Sequence, residues 1–386
     1  ALYSIRFFKK YADYIKPLIM SANGKSKKAI IFDCDNTLWK GILGEDGFEN
    51  IEMSSESKNG SIFAEIQAIA LALNNQGVLI GLCSKNNPAD VEEVITSHPN
   101  MQLRDESITI KKINWVDKVS NLKEISNELN IGLDSLVFID DSSFEVNLIK
   151  EQLPGVTVLQ VPEKLHEYPR MLRENLELFY NLSLTAEDQN KIKMYKQQVK
   201  RGSIKKEFTD IEDFLFSLEL KITIFENDGS IISRISQMTQ KTNQFNLTTK
   251  RYTESDIQNF IDDKNTDVYA FSVADKFGDS GITGLSIILS NGDISEVDTF
   301  LMSCRIIGRN IEYVFMDYII QKLKEKKIYA FNATYIKSQK NDQVKDFYDK
   351  CSFELIRSND LEKNYSLDTK SYKPKQLKYI KVINEK

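Results

Sequence analysis

Hydrophobic and polar positions in the first part of the chain follow the pattern of proteins built from alternating strands and helices. Short apolar runs of the strand type are separated by segments of helical periodicity. Such alternation predicts a parallel sheet with helices on both faces. The predicted strands are 28–33, 78–83, 135–140 and 155–161, and the predicted helices are 60–75, 88–96 and 115–129.

The order of the predicted elements changes from about Ile211 onward. A strand and a helix are followed by three strands and then by a helix, a strand and a last helix. This change indicates a second α/β domain. Its predicted strands are 218–225, 268–275, 281–289, 296–302 and 328–333, and its predicted helices are 230–238, 310–323 and 343–350.

These patterns divide the chain into five segments. An amphipathic helix with its linker comes first, and its apolar side lacks an evident partner, which suggests a longer protein. Two domains follow, joined by a helical connector in which a further helix is predicted to start at Leu184. The lysine-rich tail is interpreted as a solvated surface segment, with a phosphate-attracting arm as the alternative. The five segments are 1–27, 28–162, 163–205, 206–360 and 361–386.

Composition removes several classes of function. A chain of 386 residues is long enough for two domains with sizeable cores. Its 51 basic and 56 acidic residues leave no excess positive charge to attract nucleic acid. Four cysteines without a Cys-x-x-Cys pair, and only two histidines, argue against a disulfide framework and a structural zinc site. A cytoplasmic location is expected, and no apolar run approaches the roughly 18 residues of a membrane span.

The first predicted strand leads into the most informative stretch of the chain. Its apolar residues are followed by Asp33, Asp35 and Thr37 and then by a loop rich in glycine. The carboxyl end of a central parallel strand opens into the crevice where such folds bind ligands. There Asp33 could attack a phosphoryl group, and Asp35 could protonate the leaving oxygen and later activate water. The alternative is an Asx turn that caps the strand.

Three further polar positions recur downstream in the order that one phosphoryl-transfer site would need. Ser84 follows the second strand, where a hydroxyl could hold a phosphoryl oxygen or could simply cap the next helix. Lys118 opens a helix and could act as a fixed cation, although Lys111 and Lys112 are alternatives and each lysine could also be solvated. Asp140 begins a pair of adjacent carboxylates at the end of the third strand, which suits Mg²⁺.

These motifs resemble those of the haloacid dehalogenase (HAD) superfamily. Residues 33–37 form an Asp-x-Asp-x-Thr motif, and the longer run 35–47 resembles the FkbH-like branch of HAD subfamily IIIC. The resemblance implies a HAD-type, Rossmann-like parallel sheet and a phosphatase activity that depends on Mg²⁺. The segment between Trp39 and Glu56 is too short for a large cap domain, so a minimal cap is expected.

The resemblance gives most of these polar residues a role at a single site. It implies that a backbone carbonyl coordinates the metal together with carboxylates. The implied roles are catalysis for Asp33, Asp35, Ser84 and Lys118, metal binding for Asp33, the carbonyl of Asp35, and Asp140, and substrate contact for Thr37 and Asn86.

The second part resembles the GNAT acyltransferases in its order of elements and in one loop. GNAT proteins carry an Arg/Gln-x-x-Gly-x-Gly/Ala loop at a helix N-terminus, where backbone N–H groups bind the pyrophosphate attached to pantetheine. Arg305 and Gly308 match this loop. Asn310 replaces its last small residue, which argues against ordinary coenzyme A binding. A non-catalytic α/β domain is the alternative.

Two further stretches bear on a ligand in this second domain. Asn341 resembles the GNAT segment that packs beside the pantetheine arm. The polar loop 242–249 corresponds to the place where GNAT enzymes receive their acceptor, so Asn243 and Asn246 are expected to bind substrate or pantetheine. Together with residues 275–279, this loop also resembles the FkbH-like family.

FkbH-like proteins are associated with a reaction sequence that suits this pair of domains. They capture the glyceryl unit of 1,3-bisphosphoglycerate, remove its phosphate and pass the acyl group to the phosphopantetheine thiol of an acyl carrier protein. Here the phosphatase half would remove the phosphate, and the GNAT-like half would accommodate the pantetheine arm. The alternatives are a small-molecule phosphatase fused to an acetyltransferase, and a scaffold whose second domain binds a partner.

A relay of this kind needs a cysteine if the glyceryl group is held as a thioester. Cys83 is the first candidate, because it stands beside Ser84 near a helix N-terminus, which favours the thiolate. Cys304 is the second candidate, because it precedes the pantetheine-binding loop at the strand where GNAT enzymes position the acyl carbonyl. Cys34 alternates with the aspartates and should point into the sheet packing. Cys351 follows a helix and is expected to be structural.

Overall fold

The computed structural model describes residues 4–181 and 186–384. The chain forms two compact units, at 1–203 and 204–386. The predicted helix start at Leu184 lies outside the described residues. None of the described helices is long and apolar enough to cross a membrane.

The first unit contains a five-stranded sheet in which every described pairing is parallel. Its strands are β1 (Ala29–Phe32), β2 (Leu79–Ser84), β3 (Ile108–Ile113), β4 (Leu136–Asp140) and β5 (Thr157–Gln160). Its helices are α1 (Ile5–Ala22), α2 (Leu43–Asp46), α3 (Gly60–Asn75), α4 (Pro88–Ser97), α5 (Lys118–Leu129), α6 (Ser143–Gln152), α7 (Tyr168–Glu174) and α8 (Ala186–Lys205).

The strand order β3-β2-β1-β4-β5 puts β1 in the middle of this sheet. All four residues of β1 are buried, as the apolar run predicts. Between β1 and α3, where every residue is described, the only helix is the four-residue α2. The predicted parallel sheet and minimal cap are therefore confirmed.

Local capping fixes where the helices beside this edge begin. The predicted helix at 115–129 starts only at Lys118, because Asp117 caps it by accepting the Ser120 N–H at 2.8 Å. The hydrophobic pattern misses β3 and α6 entirely. In β3, Lys111 and Lys112 interrupt the apolar run, and α6 directly follows the carboxylate pair with Ser142 as its cap.

The second unit contains one mixed sheet of nine strands. Its strands are β6 (Leu220–Glu226), β7 (Phe245–Asn246), β8 (Thr266–Asp275), β9 (Gly278–Asn291), β10 (Ile294–Met302), β11 (Ala330–Ile336), β12 (Glu354–Ser358), β13 (Glu362–Asp368) and β14 (Ile380–Asn384). Its helices are α9 (Ile211–Ser217), α10 (Ile232–Lys241), α11 (Glu254–Asp262), α12 (Ile311–Glu325) and α13 (Phe347–Lys350).

The strand order of this sheet is β12-β13-β11-β10-β9-β8-β6-β14, with β7 beside β10. Alternate residues of β8 face different cores, because Tyr269 and Phe271 pack with α12 whereas Val268 and Ala270 pack with α10 and α11. Helices therefore cover both faces of the sheet. The predicted α/β class of the second unit is confirmed.

The end of the chain corrects the expectation of a solvated tail at 361–386. Residues 362–368 form β13, which pairs with both β11 and β12, and residues 380–384 form β14 in parallel with β6. The sequence conceals both strands because few of their described residues are buried, namely Tyr365 and Leu367 in β13 and Ile380 in β14. The strand β14 lies at the edge of the sheet and exposes Lys381, and a charge on an edge strand opposes pairing with other chains. The last segment is thus part of the second unit.

Candidate active site

Three carboxylates meet at the carboxyl edge of the first sheet. Asp33 follows β1, Asp140 ends β4 and Asp141 comes next, and one oxygen of each lies within 4.8 Å of the others. The parallel register brings the two strand ends together, because the Asp33 N–H donates to the carbonyl of Ile139 at 2.9 Å. Carboxylate oxygens in such a group can hold Mg²⁺. The predicted ligand set omits Asp141, although its adjacency to Asp140 was a signal for it.

A buried lysine bridges two of these carboxylates. Lys118 Nζ lies 3.0 Å from Asp33 Oδ1 and 2.6 Å from Asp140 Oδ2, and the three side chains are 5%, 8% and 0% exposed. Burial by itself would lower the pKa of Lys118, but the two aspartates outweigh burial and raise it. Burial, with the nearby charge of Asp33, raises the pKa of Asp140 to about 6. Lys118 is therefore a fixed cation at this site.

The alternative lysines lie elsewhere. Each of them pairs with two carboxylates away from the aspartate cluster, so neither is the cation of this site. Lys111 contacts Glu92 at 2.6 Å and Asp105 at 2.8 Å, and Lys112 contacts Glu124 at 2.6 Å and Glu128 at 2.8 Å.

Asp35 is held in place by three hydrogen bonds. Its Oδ1 accepts from Trp39 Nε1 at 2.9 Å and from the Leu43 N–H at 3.0 Å, and its Oδ2 accepts from Asn86 Nδ2 at 2.9 Å. Burial raises the pKa of Asp35, which suits a group that must donate a proton. The structure therefore places Asn86 on the proposed acid, and the expected contact of Asn86 with substrate stays a prediction.

Ser84 and Thr37 are buried beside the same strand ends. Ser84 is 2% exposed, and its hydroxyl interacts with the thiol of Cys34. Thr37 is fully buried, and its Oγ1 has no hydrogen-bond partner among the described residues. Its backbone carbonyl accepts from the Tyr168 hydroxyl at 3.2 Å. Both hydroxyls are thus near the motif, and their contact with a phosphoryl group stays a prediction.

The cysteines differ from expectation in one respect. Cys83 is fully buried, and burial raises the pKa of its thiol, so the expectation of a favoured thiolate there is wrong. The loss of hydration outweighs the helix N-terminus. Cys34 and Cys351 pack in the cores of their units, as predicted. Cys304 is half-buried and starts a short turn before the GNAT-like loop.

The GNAT-like loop of the second unit is built from residues in the left-handed backbone region. Gly308 has φ of +85°, which favours glycine, and Asn310 has φ of 61° directly before α12. The Asn310 side chain is engaged within the protein, because its Nδ2 donates to the Tyr379 hydroxyl at 2.7 Å. Arg305 is half-buried, and its carbonyl accepts from the Arg309 guanidinium at 2.8 Å.

The polar loop at 242–249 is folded upon itself. Asn246 is fully buried; its Nδ2 donates to the Thr242 carbonyl at 3.2 Å, and its Oδ1 accepts the Thr249 N–H at 2.8 Å. The Asn246 amide is thus used within the loop, and its expected contact with substrate or pantetheine stays a prediction. Asn243 accepts a hydrogen bond from the Arg251 guanidinium.

Sheet order and site together define a HAD-type phosphatase fold joined to a GNAT-type fold. No family model matches the chain, and the comparison with curated proteins gives no match either. Among solved structures, one similar chain is the N-terminal part of the protein BF1531 from Bacteroides fragilis, which contains a phosphatase domain and was crystallised with Mg. It is 39% identical over 45% of this chain and 46% of that chain, with a TM-score of 0.43.

Several further similar structures are acetyltransferases. The ribosomal-protein-S18-alanine N-acetyltransferase from Escherichia coli is 9% identical over 38% of this chain and 94% of its own, with a TM-score of 0.31. The IAA acetyltransferase from Bacillus cereus is 12% identical over 38% of this chain and 99% of its own, with a TM-score of 0.28. All three TM-scores are below 0.5. The fold class of each unit therefore rests on its own strand order and not on these similarities. The chain spans less than half of the BF1531 structure.

Proposed function

We propose that the first unit is a Mg²⁺-dependent phosphoryl-transfer enzyme in which Asp33 is the nucleophile. The arrangement of Asp33, Asp140 and Asp141 around Lys118 carries this proposal. Carboxylates this close repel one another unless positive charge lies between them. Lys118 supplies one positive charge, and a divalent cation would balance the remainder.

The donor set fits Mg²⁺ in both chemistry and size. Two ligands on opposite sides of Mg²⁺ lie about 4.2 Å apart, and the three carboxylate oxygens already lie within 4.8 Å of one another. Bound there, the ion would polarise a phosphoryl oxygen and stabilise the charge that develops on it. The Mg in the similar phosphatase domain of BF1531 supports this choice of metal.

The side chains divide the reaction between them. The Asp33 carboxylate attacks phosphorus, the bond from phosphorus to the leaving oxygen breaks, and the proton of Asp35 goes to that oxygen. The Asp35 carboxylate then takes a proton from a water that attacks the aspartyl-phosphate. Lys118 remains protonated throughout and stabilises negative charge on the transferring group. The hydrogen bond from Asn86 keeps the Asp35 carboxyl in one orientation.

We further propose that the phosphate comes from 1,3-bisphosphoglycerate and that the glyceryl group passes to the phosphopantetheine thiol of an acyl carrier protein. The resemblance of 35–47 and 242–249 to FkbH-like proteins supports this choice of substrate and partner. A protein thiol would take the acyl group first: its sulfur attacks the acyl carbonyl carbon, and the bond from that carbon to its phosphate breaks and releases phosphate. The phosphate ester at the other end of the molecule is the substrate of Asp33, and the pantetheine thiol then attacks the thioester and displaces the protein thiol. Because Cys83 is fully buried and Cys304 is half-buried, exposure now favours Cys304, in reverse of the order expected from sequence.

Incubation of the protein with 1,3-bisphosphoglycerate and Mg²⁺ tests both parts of the proposal. The parent chain should release both phosphates, and Asp33→Asn should retain the ester phosphate. Release of the ester phosphate by that variant would exclude Asp33 as the nucleophile. Intact mass should show a glyceryl adduct that disappears in Cys304→Ser and persists in the buried control Cys351→Ser. Loss of the adduct only in Cys83→Ser would restore the first assignment. Phosphate release without any adduct would favour a small-molecule phosphatase.

A further inference from the structure

The second unit closes a gap in its own sheet. Strands β10 and β11 pair in parallel at only four positions and then separate. Residues 245–247, here called the gap segment, run between them, antiparallel to β10. Leu247 joins both strands, because its N–H donates to the Phe300 carbonyl at 3.1 Å and its carbonyl accepts the Ile336 N–H at 2.8 Å. The gap segment thus acts as an internal strand.

The gap segment is part of the core. Its three side chains are 3%, 0% and 0% exposed, and the Phe245 ring packs edge-on against Phe347 at 5.5 Å between centroids. Asn341, also fully buried, fastens the segment to β11, since its Nδ2 donates to the Asn246 carbonyl at 2.8 Å and to the Ile336 carbonyl at 2.9 Å. Removing the segment would expose two large apolar side chains and leave buried polar groups unpaired.

The position of the gap segment is the one that the sequence pattern assigns to a pantetheine arm. The end of β10 before Cys304 is the expected place of the acyl carbonyl, and Asn341 is the expected neighbour of the arm. The end of β10 and Asn341 both contact the gap segment. An extended arm that bound there would need the backbone groups of Phe300 and Ile336, which are already paired.

A second observation concerns the N-terminus of α12, where the pyrophosphate would bind. Glu312 lies in the first turn of this helix and is 8% exposed, and its Oε2 has no hydrogen-bond partner among the described residues. Asn310, at the last position of the loop, donates a hydrogen bond to Tyr379. A buried acidic side chain therefore lies at the helix N-terminus where a pyrophosphate would bind.

We infer that the second unit does not bind acyl-coenzyme A, because the gap segment and the Glu312 carboxyl occupy the two places where pantetheine and its pyrophosphate would lie. Acyl transfer from coenzyme A is then not an activity of this unit. The same gap is closed to the phosphopantetheine arm of a carrier protein, so transfer of an acyl group from Cys304 to that arm would take place outside the gap. This inference concerns the second unit alone and holds whatever substrate the first unit takes.

Hydrogen–deuterium exchange and calorimetry on the whole chain test the inference. Peptides that contain Leu247 and Ile336 should exchange as slowly as the β9–β10 pairing, and coenzyme A or acetyl-coenzyme A at about 1 mM should neither change this exchange nor give saturable heat. Saturable binding that is lost in Arg305→Ala would overturn the inference, as would rapid exchange of the gap segment that slows when coenzyme A is added. Phosphate release in the same sample reports separately on the first unit.

A matched pair of variants tests the role of Asn341. Asn341→Ala should make the gap segment exchange about tenfold faster, because it removes two hydrogen bonds to buried carbonyls. Asn332→Ala, a change at a partly exposed position on β11, should leave that exchange as in the parent chain. Equal effects of both variants would mean that Asn341 does not hold the segment in the gap. Far-UV circular dichroism shows whether each variant is folded, and the measurements on the parent chain stand without either variant.

Discussion

Lys118→Met removes the positive charge from between two buried carboxylates and keeps most of the side-chain volume. The ammonium lies 3.0 Å from Asp33 and 2.6 Å from Asp140, and none of the three side chains is more than 8% exposed. Removing one partner of a buried ionic group costs about 3 to 5 kcal/mol, because the remaining charges stay desolvated and uncompensated. We expect the free energy of unfolding of the first unit to fall by this amount without metal.

Lys111→Met is the matched control. Lys111 also forms two ion pairs, at 2.6 and 2.8 Å, but its partners Glu92 and Asp105 are 48% and 66% exposed. Water rehydrates such carboxylates when the lysine is removed, so the expected loss is about 1 kcal/mol or less. The comparison holds the chemistry of the substitution constant and varies the burial of the partners.

Urea denaturation followed by tryptophan fluorescence measures both variants. The two tryptophans, Trp39 and Trp115, lie in the first unit, so the signal reports on that unit. Excess Mg²⁺ should reduce the deficit of Lys118→Met, because a bound cation supplies positive charge to the same carboxylates. Equal losses in the two variants, or a deficit that Mg²⁺ leaves unchanged, would refute the role of Lys118 as the internal cation of a metal site.

Three further predictions concern the same site. Asp33→Asn should abolish phosphate release from p-nitrophenyl phosphate and leave the far-UV circular dichroism spectrum unchanged, and residual turnover near the parent rate would exclude it as the nucleophile. Asp35→Asn should turn over slowly yet bind Mg²⁺, because Asp35 is not one of the three clustered carboxylates, whereas Asp140→Asn should lose the metal. Equal losses of Mg²⁺ affinity in titration calorimetry would contradict this division of roles. Mg²⁺ affinity should fall as the pH drops through about 6, because the pKa of Asp140 is raised to about 6 and a protonated carboxyl does not bind the ion. An Mg²⁺ affinity that is independent of pH would count against Asp140 as a ligand.

The sequence by itself determined the elements of the phosphoryl-transfer site. Its polar residues follow apolar strands, and the carboxyl ends of parallel strands meet at one edge whatever the details of packing. The sequence therefore predicts that Asp33, Ser84 and Asp140 lie at the same edge of the sheet. It could also place Lys118 at a helix start, although only the ion-pair distances separated it from Lys111.

Only the tertiary structure decided which polar groups form hydrogen bonds inside the protein. Asn246 and Asn341 belong to polar stretches that predict ligand contact, but pairing across long sequence separations turns both inward. Burial likewise raises the pKa of Cys83 against the effect expected of a helix N-terminus. The lysine-rich end of the chain becomes two strands because partners supplied by distant segments lie beside it. Local pattern specifies which residue types are present, whereas hydration and hydrogen-bond partners depend on neighbours that only the folded chain brings together.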